Sequence, residues 1–401
     1  MRNALAKDHF RTPLWETPFH PRLALLASAN DWYAWSGYRS ASVVRDREME
    51  YFAIRNAASV FDVTPMTKYR IEGPEAEAYL NRLTLRDVAR LKPGKVHYTA
   101  WCDDDGKVLD DGTLFRFSPT SFRLCCQDRH LNWLLDSAIG FDVVIEEVTQ
   151  AIAGLALQGP TSATVLRNAG FDIEAMRPFD IAAFERDGLR VEISRTGFTG
   201  DLGYELFVAP DQALALWDRL FQAGRLAGIT AIGYAALNLA RLEAGFIVAN
   251  ADFVTADVAV RANRRRSPFE IDLDWMINFD KDCHFNGAAA LRAEKKAGSS
   301  PHILVGLDIE GNIPAEHALV YHGGKREVGH ITAAAWSPTA KRNIALASLQ
   351  RPYGERIKEN LWVEIYALRE LVYQKSMVRA RVVGKPFFKP ARRTQTPPGV
   401  F

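Results

Sequence analysis

The chain lacks most of the residues and spacings on which common active sites are built. Its 401 residues include four cysteines, Cys102, Cys125, Cys126 and Cys283. None forms a C-x-x-C pair, which argues against a disulfide framework or a zinc site. Nine histidines yield no H-E-x-x-H and no close ligand pair, so a catalytic metal is not expected. There is no G-x-x-x-x-G-K-[ST] phosphate loop, no G-x-G-x-x-G after an N-terminal strand and no G-x-S-x-G elbow. Asp103, Asp104 and Asp105 lack the later glutamate of a calcium loop and read as turn chemistry before Gly106. No apolar run approaches the roughly 18 residues of a membrane span, and the N-terminus has no apolar signal core. A net charge of +2, from 50 basic and 48 acidic residues, gives no field for nucleic acid or a membrane surface. The expectation is a soluble protein of a reducing compartment, the cytoplasm, with neither nucleic-acid nor membrane partners. Chemistry would rest on carboxylates, aromatics and a bound cofactor.

What is present is a glycine loop, Ser194 to Leu206, with Gly197, Gly200 and Gly203. Such a loop lets backbone approach a flat ligand and delivers Glu205 onto the strand-like run Leu206-Phe207-Val208. A carboxylate held there suits a ring with several N–H donors, such as a pterin; a hairpin with a solvated glutamate is the plainer alternative. Asp110 and Asp111 follow an apolar strand. Alternation sends one inward and one outward, and the inward one can tune proton transfer, unless both are simply turn residues. Arg264-Arg265-Arg266 reads as a solvated loop, with an anion contact as the other reading. The first 45 residues are rich in aromatics (Phe10, Trp15, Phe19, Trp32, Tyr33, Trp35, Tyr38), which predicts a packed segment. Helices are predicted from Glu48 to Ala58 and from Tyr234 to Glu243, and a polar excursion from Ala249 to Pro268. Strand, Gly-Pro turn and helix occur twice, at Gly73-Pro74 and Gly159-Pro160, which hints at duplication. After residue 298 short strands separated by glycine predict a small β-barrel or sandwich, and so two domains, 1–298 and 299–401.

In this order the pieces resemble the glycine-cleavage T-protein (aminomethyltransferase) superfamily. The matching runs include Phe61-Asp62-Val63-Thr64-Pro65-Met66, Asp87 to Gly94, Gly106 to Asp111, Leu157-Gln158-Gly159-Pro160, the glycine loop, Arg241-Leu242-Glu243-Ala244-Gly245, Ser267-Pro268-Phe269-Glu270, Ser337-Pro338-Thr339 and Gly384-Lys385-Pro386-Phe387. They run from about residue 15 to 390.

The resemblance implies an α+β, three-lobed fold around a central channel for tetrahydrofolate, closed by a C-terminal β-barrel. Carried over by motif, Glu205 would bind the pterin ring and Asp110 would face its reacting N5. Tyr98, Met66, Phe198 and Trp275 would line the slot. The chain departs from the family pattern at Leu237, where an arginine that contacts ligand is usual, at Pro65, and in extra sequence between Phe253 and Ser267. Its start looks more like the folate-dependent demethylase branch. The resemblance therefore implies a folate-dependent one-carbon transferase, first a demethylase acting on a small S-, N- or O-methyl donor. The alternatives are a true aminomethyltransferase, which needs a lipoyl carrier protein, and a non-catalytic folate-binding module.

Overall fold

A computed structural model describes residues 13–356 and 359–395; Phe10 of the aromatic segment lies outside them. Two antiparallel sheets form the first part of the chain. One has five strands in the order Lys95–Cys102, Val108–Ser118, Ser121–Cys126, Thr67–Glu72 and Val144–Glu147. The other has six, in the order Ile181–Arg186, Leu189–Ser194, Gly203–Val208, Ala153–Gln158, Ala58–Asp62 and Ile229–Ala231, the last paired in parallel. Gly73-Pro74 follows a strand of the first sheet and precedes the helix Ala76–Leu83. Gly159-Pro160 follows a strand of the second and precedes the helix Ser162–Asn168. The repeated motif therefore marks equivalent corners of the two sheets.

The sheets face one another. Val96, Phe115 and Cys125 of the first form one buried cluster with Ile181 and Phe207 of the second, and the Phe115 and Phe207 rings meet edge-on at 5.7 Å. Strand alternation decides what else enters the gap. Glu205 stands two residues before Phe207 on the same face. Register places Ser194, Glu205, Ala156 and Phe61 in one row across four strands. The opposing row is Tyr98, Thr113, Cys125 and Lys68.

The aromatic N-terminal segment folds into a hairpin, Asp31–Trp35 with Tyr38–Val43. It is fastened by the helix Arg47–Asn56, whose N-cap Asp46 accepts from Met49 N at 2.8 Å, satisfying one of the free amides of the first turn. The buried Glu50 carboxylate accepts from Val44 N, Arg45 N and, at 2.7 Å, Gly233 N. One side chain thereby ties the hairpin, this helix and the start of the helix Tyr234–Glu243 together.

The last part is a closed six-stranded barrel in the order His302–Ile309, Arg342–Gln350, Arg326–Ser337, Leu319–His322, Leu361–Arg369 and Val372–Val383. It joins the helices Arg47–Asn56 and Tyr234–Glu243 through Glu243, whose carboxylate accepts from Tyr51 Oη, Arg55 Nε and Nη2, and Ser337 Oγ at 2.5–2.9 Å. The segment between Phe253 and Ser267 is an excursion, with Val258 and Val260 exposed and Arg265 paired with Asp105. Among the described residues no helix is long and apolar enough to cross a membrane.

Candidate active site

The glycine loop owes its composition to packing inside the protein. A Cβ at Gly197 or Gly203 would lie 2.0 or 2.2 Å from Gln158 Oε1, well inside contact distance. The Gln158 amide fills the loop, donating to Thr196 O and Tyr204 O and accepting from Thr199 Oγ1 at 3.0 Å. The glycines thus make room for Gln158, where the sequence suggested room for a ligand.

Glu205 is nine-tenths buried. Thr196 Oγ1 donates to Oε2 in a short hydrogen bond, and no donor reaches Oε1 among the described residues. Burial raises its pKa, while the Thr196 bond, Arg123 and Lys68 lower it. The Lys68 ammonium donates to Thr64 O and Met66 O at 2.9 and 2.8 Å, and burial pulls its pKa down to about 8. Arg123 stacks over Phe207 at 4.5 Å and pairs with Glu192 at 2.7 Å. A buried carboxylate with one oxygen unpartnered, between two cations held by other groups, fits a ligand edge that donates N–H bonds.

The two aspartates separate as strand alternation requires. Asp110 is fully buried and shares a face with its cross-strand partner Trp101. Its Oδ2 lies 3.0 Å from His130 Nε2 and accepts from Asp128 N at 3.2 Å, and Oδ1 accepts from Asp111 N at 2.8 Å. Asp111 shares the face of Ala100 and Thr113, the face of the row opposite Glu205. Tyr98 Oη donates to its Oδ2 at 2.7 Å. Burial raises the pKa of both carboxyls, but His130 and backbone N–H groups hold Asp110 back. Asp111 is pushed to about 7 by burial and then by the charge of Asp110. Burial opposes protonation of His130, and the hydrogen bond and charge of Asp110 outweigh it.

The predicted slot residues are brought together in part. Tyr98 lies beside Trp275, ring centroids 6.3 Å apart; Trp275 is largely exposed and Arg86 lies over it at 5.8 Å. Tyr98 and Phe198 pack against one large apolar cluster that contains Leu237 and Phe61. Phe198 stacks on Phe246 at 5.5 Å. Met66 packs between the two sheets near Phe207. Sequence reasoning passed over Thr196, Lys68, Arg123 and His130. The first lay inside the quoted loop, and its position two residues after Ser194, the neighbouring-strand partner of Glu205, was its signal.

Known proteins fit this architecture. The GCVT N-terminal domain family matches residues 21–281, and the glycine cleavage T-protein C-terminal barrel domain matches residues 303–389. An aminomethyltransferase of Bacillus subtilis (strain 168) is 32% identical over 347 residues, 85% of this chain and 90% of the relative. The trimethylamine-oxide aldolase of Ruegeria pomeroyi is 31% identical over 355 residues, 85% of this chain but 43% of that longer protein. The crystal structure of the glycine cleavage aminomethyltransferase T from Bartonella henselae has the same fold, with a TM-score of 0.82, 23% identity, and coverage of 94% of this chain and 98% of that one. The chain belongs to the glycine-cleavage T-protein family, the folate-dependent one-carbon transferases, and its cofactor is tetrahydrofolate.

Proposed function

We propose that this protein is an aminomethyltransferase, which passes the carbon of an S-aminomethyl group to tetrahydrofolate as methylene, with release of ammonia and the carrier thiol. Support comes from aminomethyltransferase relatives 30–32% identical over 85–95% of the chain. The observation that carries the chemistry is the Tyr98–Asp111 pair on the face opposite Glu205.

Tetrahydrofolate supplies the nucleophilic ring nitrogen. Glu205 would take the N–H edge of the pterin on Oε1, with Thr196 fixing the carboxylate by its other oxygen. Tyr98, Trp275, Met66 and Phe198 would give the ring an apolar slot. On this reading Asp111, on the face opposite Glu205, would lie nearer the reacting nitrogen than Asp110. Its Oδ2 is engaged by Tyr98, so Oδ1 would be the oxygen left to take the proton that nitrogen must lose. A carboxyl with a pKa near 7 is matched to that task at neutral pH. Asp110 acts behind it: hydrogen-bonded to His130, it adds its charge to burial in raising its neighbour's proton affinity. The four free thiols suit a reducing, cytoplasmic setting.

A second reading has its own observation. Leu237 is buried in the central apolar cluster where the family pattern has a ligand-contacting arginine. A small methylated donor, handled without a carrier protein, would make the protein a demethylase, and the 31% identity to trimethylamine-oxide aldolase supports that branch. Incubation with tetrahydrofolate and an aminomethyl-loaded lipoyl carrier protein is expected to yield methylenetetrahydrofolate. No product there, with 5-methyltetrahydrofolate formed from methylated sulfonium, ammonium or methoxy compounds, would replace the first reading by the second.

A further inference from the structure

Arg264, Arg265 and Arg266 face different ways. Arg265 turns back to the Asp103–Asp105 turn, 3.6 Å from Asp105. Arg264 and Arg266 instead line a cleft of about 60 Å³ between the excursion and the barrel, with Asp252, His330 and Ser348. Register fixes the barrel side. His330 and Ser348 are cross-strand partners on Arg326–Ser337 and Arg342–Gln350, so they share a face. Their neighbours Ile331 and Leu349 belong to the buried barrel cluster, and alternation turns His330 and Ser348 outward. Backbone bonds fix the excursion side: Val108 N donates to Arg266 O at 2.9 Å and Ala256 N to Val108 O at 2.8 Å. Val108 pairs with Cys102, four residues along the strand from Tyr98, which is about 13 Å. The cleft thus lies away from the Tyr98–Trp275 pair.

The cleft gathers positive charge that its own walls do not neutralise. Arg266 is only 8% exposed. Its Nη1 donates to Asn263 O and Arg265 O at 2.9 and 3.1 Å, while Nε and Nη2 have no partner among the described residues. The exposed Arg264, the His330 ring and the Ser348 hydroxyl make no side-chain hydrogen bond or ion pair among them either. Burial, then Arg264 and Arg266, then His302 and His317 oppose protonation of His330. The carboxylates nearby are committed elsewhere. Asp252 Oδ2 accepts from Arg241 Nη1 and Val248 N, and Oδ1 from Thr332 Oγ1 at 2.7 Å. Glu270, close enough to act on Arg266, lies 3.0 Å from His302 Nδ1 and accepts from Ser267 N at 2.9 Å. A buried guanidinium with no carboxylate in contact is costly, and a small anion offsets that cost.

We infer that this cleft binds one tetrahedral oxyanion of the phosphate or sulfate class, with Arg264, Arg266, His330 and the Ser348 hydroxyl as its donors. Guanidinium groups donate charge-assisted bonds to such an anion, and the cleft is several times the size one water needs. A tetrahedral ion accepts from several directions at once, which suits donors that come from two sides. Bound there, it ties the excursion to the barrel. The inference does not depend on which one-carbon donor the protein uses.

Calorimetry on the full chain, in chloride buffer of constant ionic strength, tests it with inorganic phosphate, sulfate and glycerol 3-phosphate. Phosphate is expected to bind saturably, one ion per chain. Arg264→Gln, at an exposed position, and His330→Leu should each weaken it by about tenfold, the loss of one bond to a charged group. Phosphate should also slow amide exchange over residues 261–266 in the parent and much less in Arg264→Gln. Tetrahydrofolate affinity, measured on the same samples, should stay unchanged in both variants. Tighter binding of phosphate than of glycerol 3-phosphate supports a free ion in the cleft; the reverse order supports the phosphoryl end of a larger ligand. Failure of phosphate and sulfate to saturate at millimolar concentration, or equal binding by the parent and both variants, would overturn the inference. So would a loss of tetrahydrofolate affinity in the variants, which would assign these side chains to the carboxylates of the cofactor itself.

Discussion

Tyr98 Oη and Asp111 Oδ2 are joined at 2.7 Å across neighbouring strands, which fixes the one carboxylate of the Asp110–Asp111 pair that faces Glu205's side of the sheet gap. The preceding residue, one step along the strand, is committed to His130 on the other side. Adjacent acidic residues thus face opposite sides of the strand, each with its own hydrogen-bond partner.

Turnover should follow this division in its pH dependence. With Asp111 at about 7 and active as the carboxylate, the rate is expected to rise through pH 7 and level off above it. Asp111→Asn should flatten the profile and lower turnover by about 10²–10⁴-fold. Stability runs the opposite way. A carboxyl whose folded pKa lies above its unfolded value binds its proton more tightly when folded, so its contribution is lost as pH climbs from about 4 to 7. Chemical denaturation at pH 4.5 and 7.5 should show that loss in the parent protein and a smaller one in Asp111→Asn.

Glu205→Gln should weaken tetrahydrofolate binding by about 1.5–3 kcal/mol, the worth of a hydrogen bond to a charged group, or roughly 10–100-fold by calorimetry. The fold should survive, since burial already works against the Glu205 charge.

Glu243 is the counter-charge of the buried Arg55 and the anchor of Ser337 on the barrel. Glu243→Gln leaves the guanidinium with Asp201, at 3.2 Å, as its remaining anion. A loss of about 3 kcal/mol is expected, read as a lower urea midpoint.

Gly203→Ala forces a methyl onto Gln158, at a cost of about 1–3 kcal/mol. Pairing it with Gln158→Ser should recover part of that loss, so the two substitutions will not add. Additivity in denaturant titrations would show that the loop glycine serves something other than Gln158.

Much of this was legible because periodicity and turn chemistry act locally. The helices Arg47–Asn56 and Tyr234–Glu243 sit where helices are predicted from Glu48 to Ala58 and from Tyr234 to Glu243. The barrel's strands followed from glycine-separated apolar runs, but Val372–Val383 was missed because most of its residues are exposed and it shows no clean alternation. Glu205, Tyr98 and Met66 carry family motifs and are placed about the sheet gap. Motif position could not say which aspartate faces that gap, because a one-residue step reverses the face. Register with Tyr98 is a property of paired strands. The aromatic N-terminus read as packed; that Trp35 meets Phe61, 26 residues later, depends on how the hairpin docks across two sheets.

The most direct measurement is single-turnover formation of the one-carbon tetrahydrofolate product by Asp111→Asn and Asp110→Asn, each with tetrahydrofolate binding verified. The account predicts that Asp111→Asn binds tetrahydrofolate and forms product at least 100-fold more slowly above pH 7, while Asp110→Asn keeps measurable product formation with an altered pH profile. Undiminished turnover in Asp111→Asn, with the loss falling on Asp110→Asn alone, would contradict it.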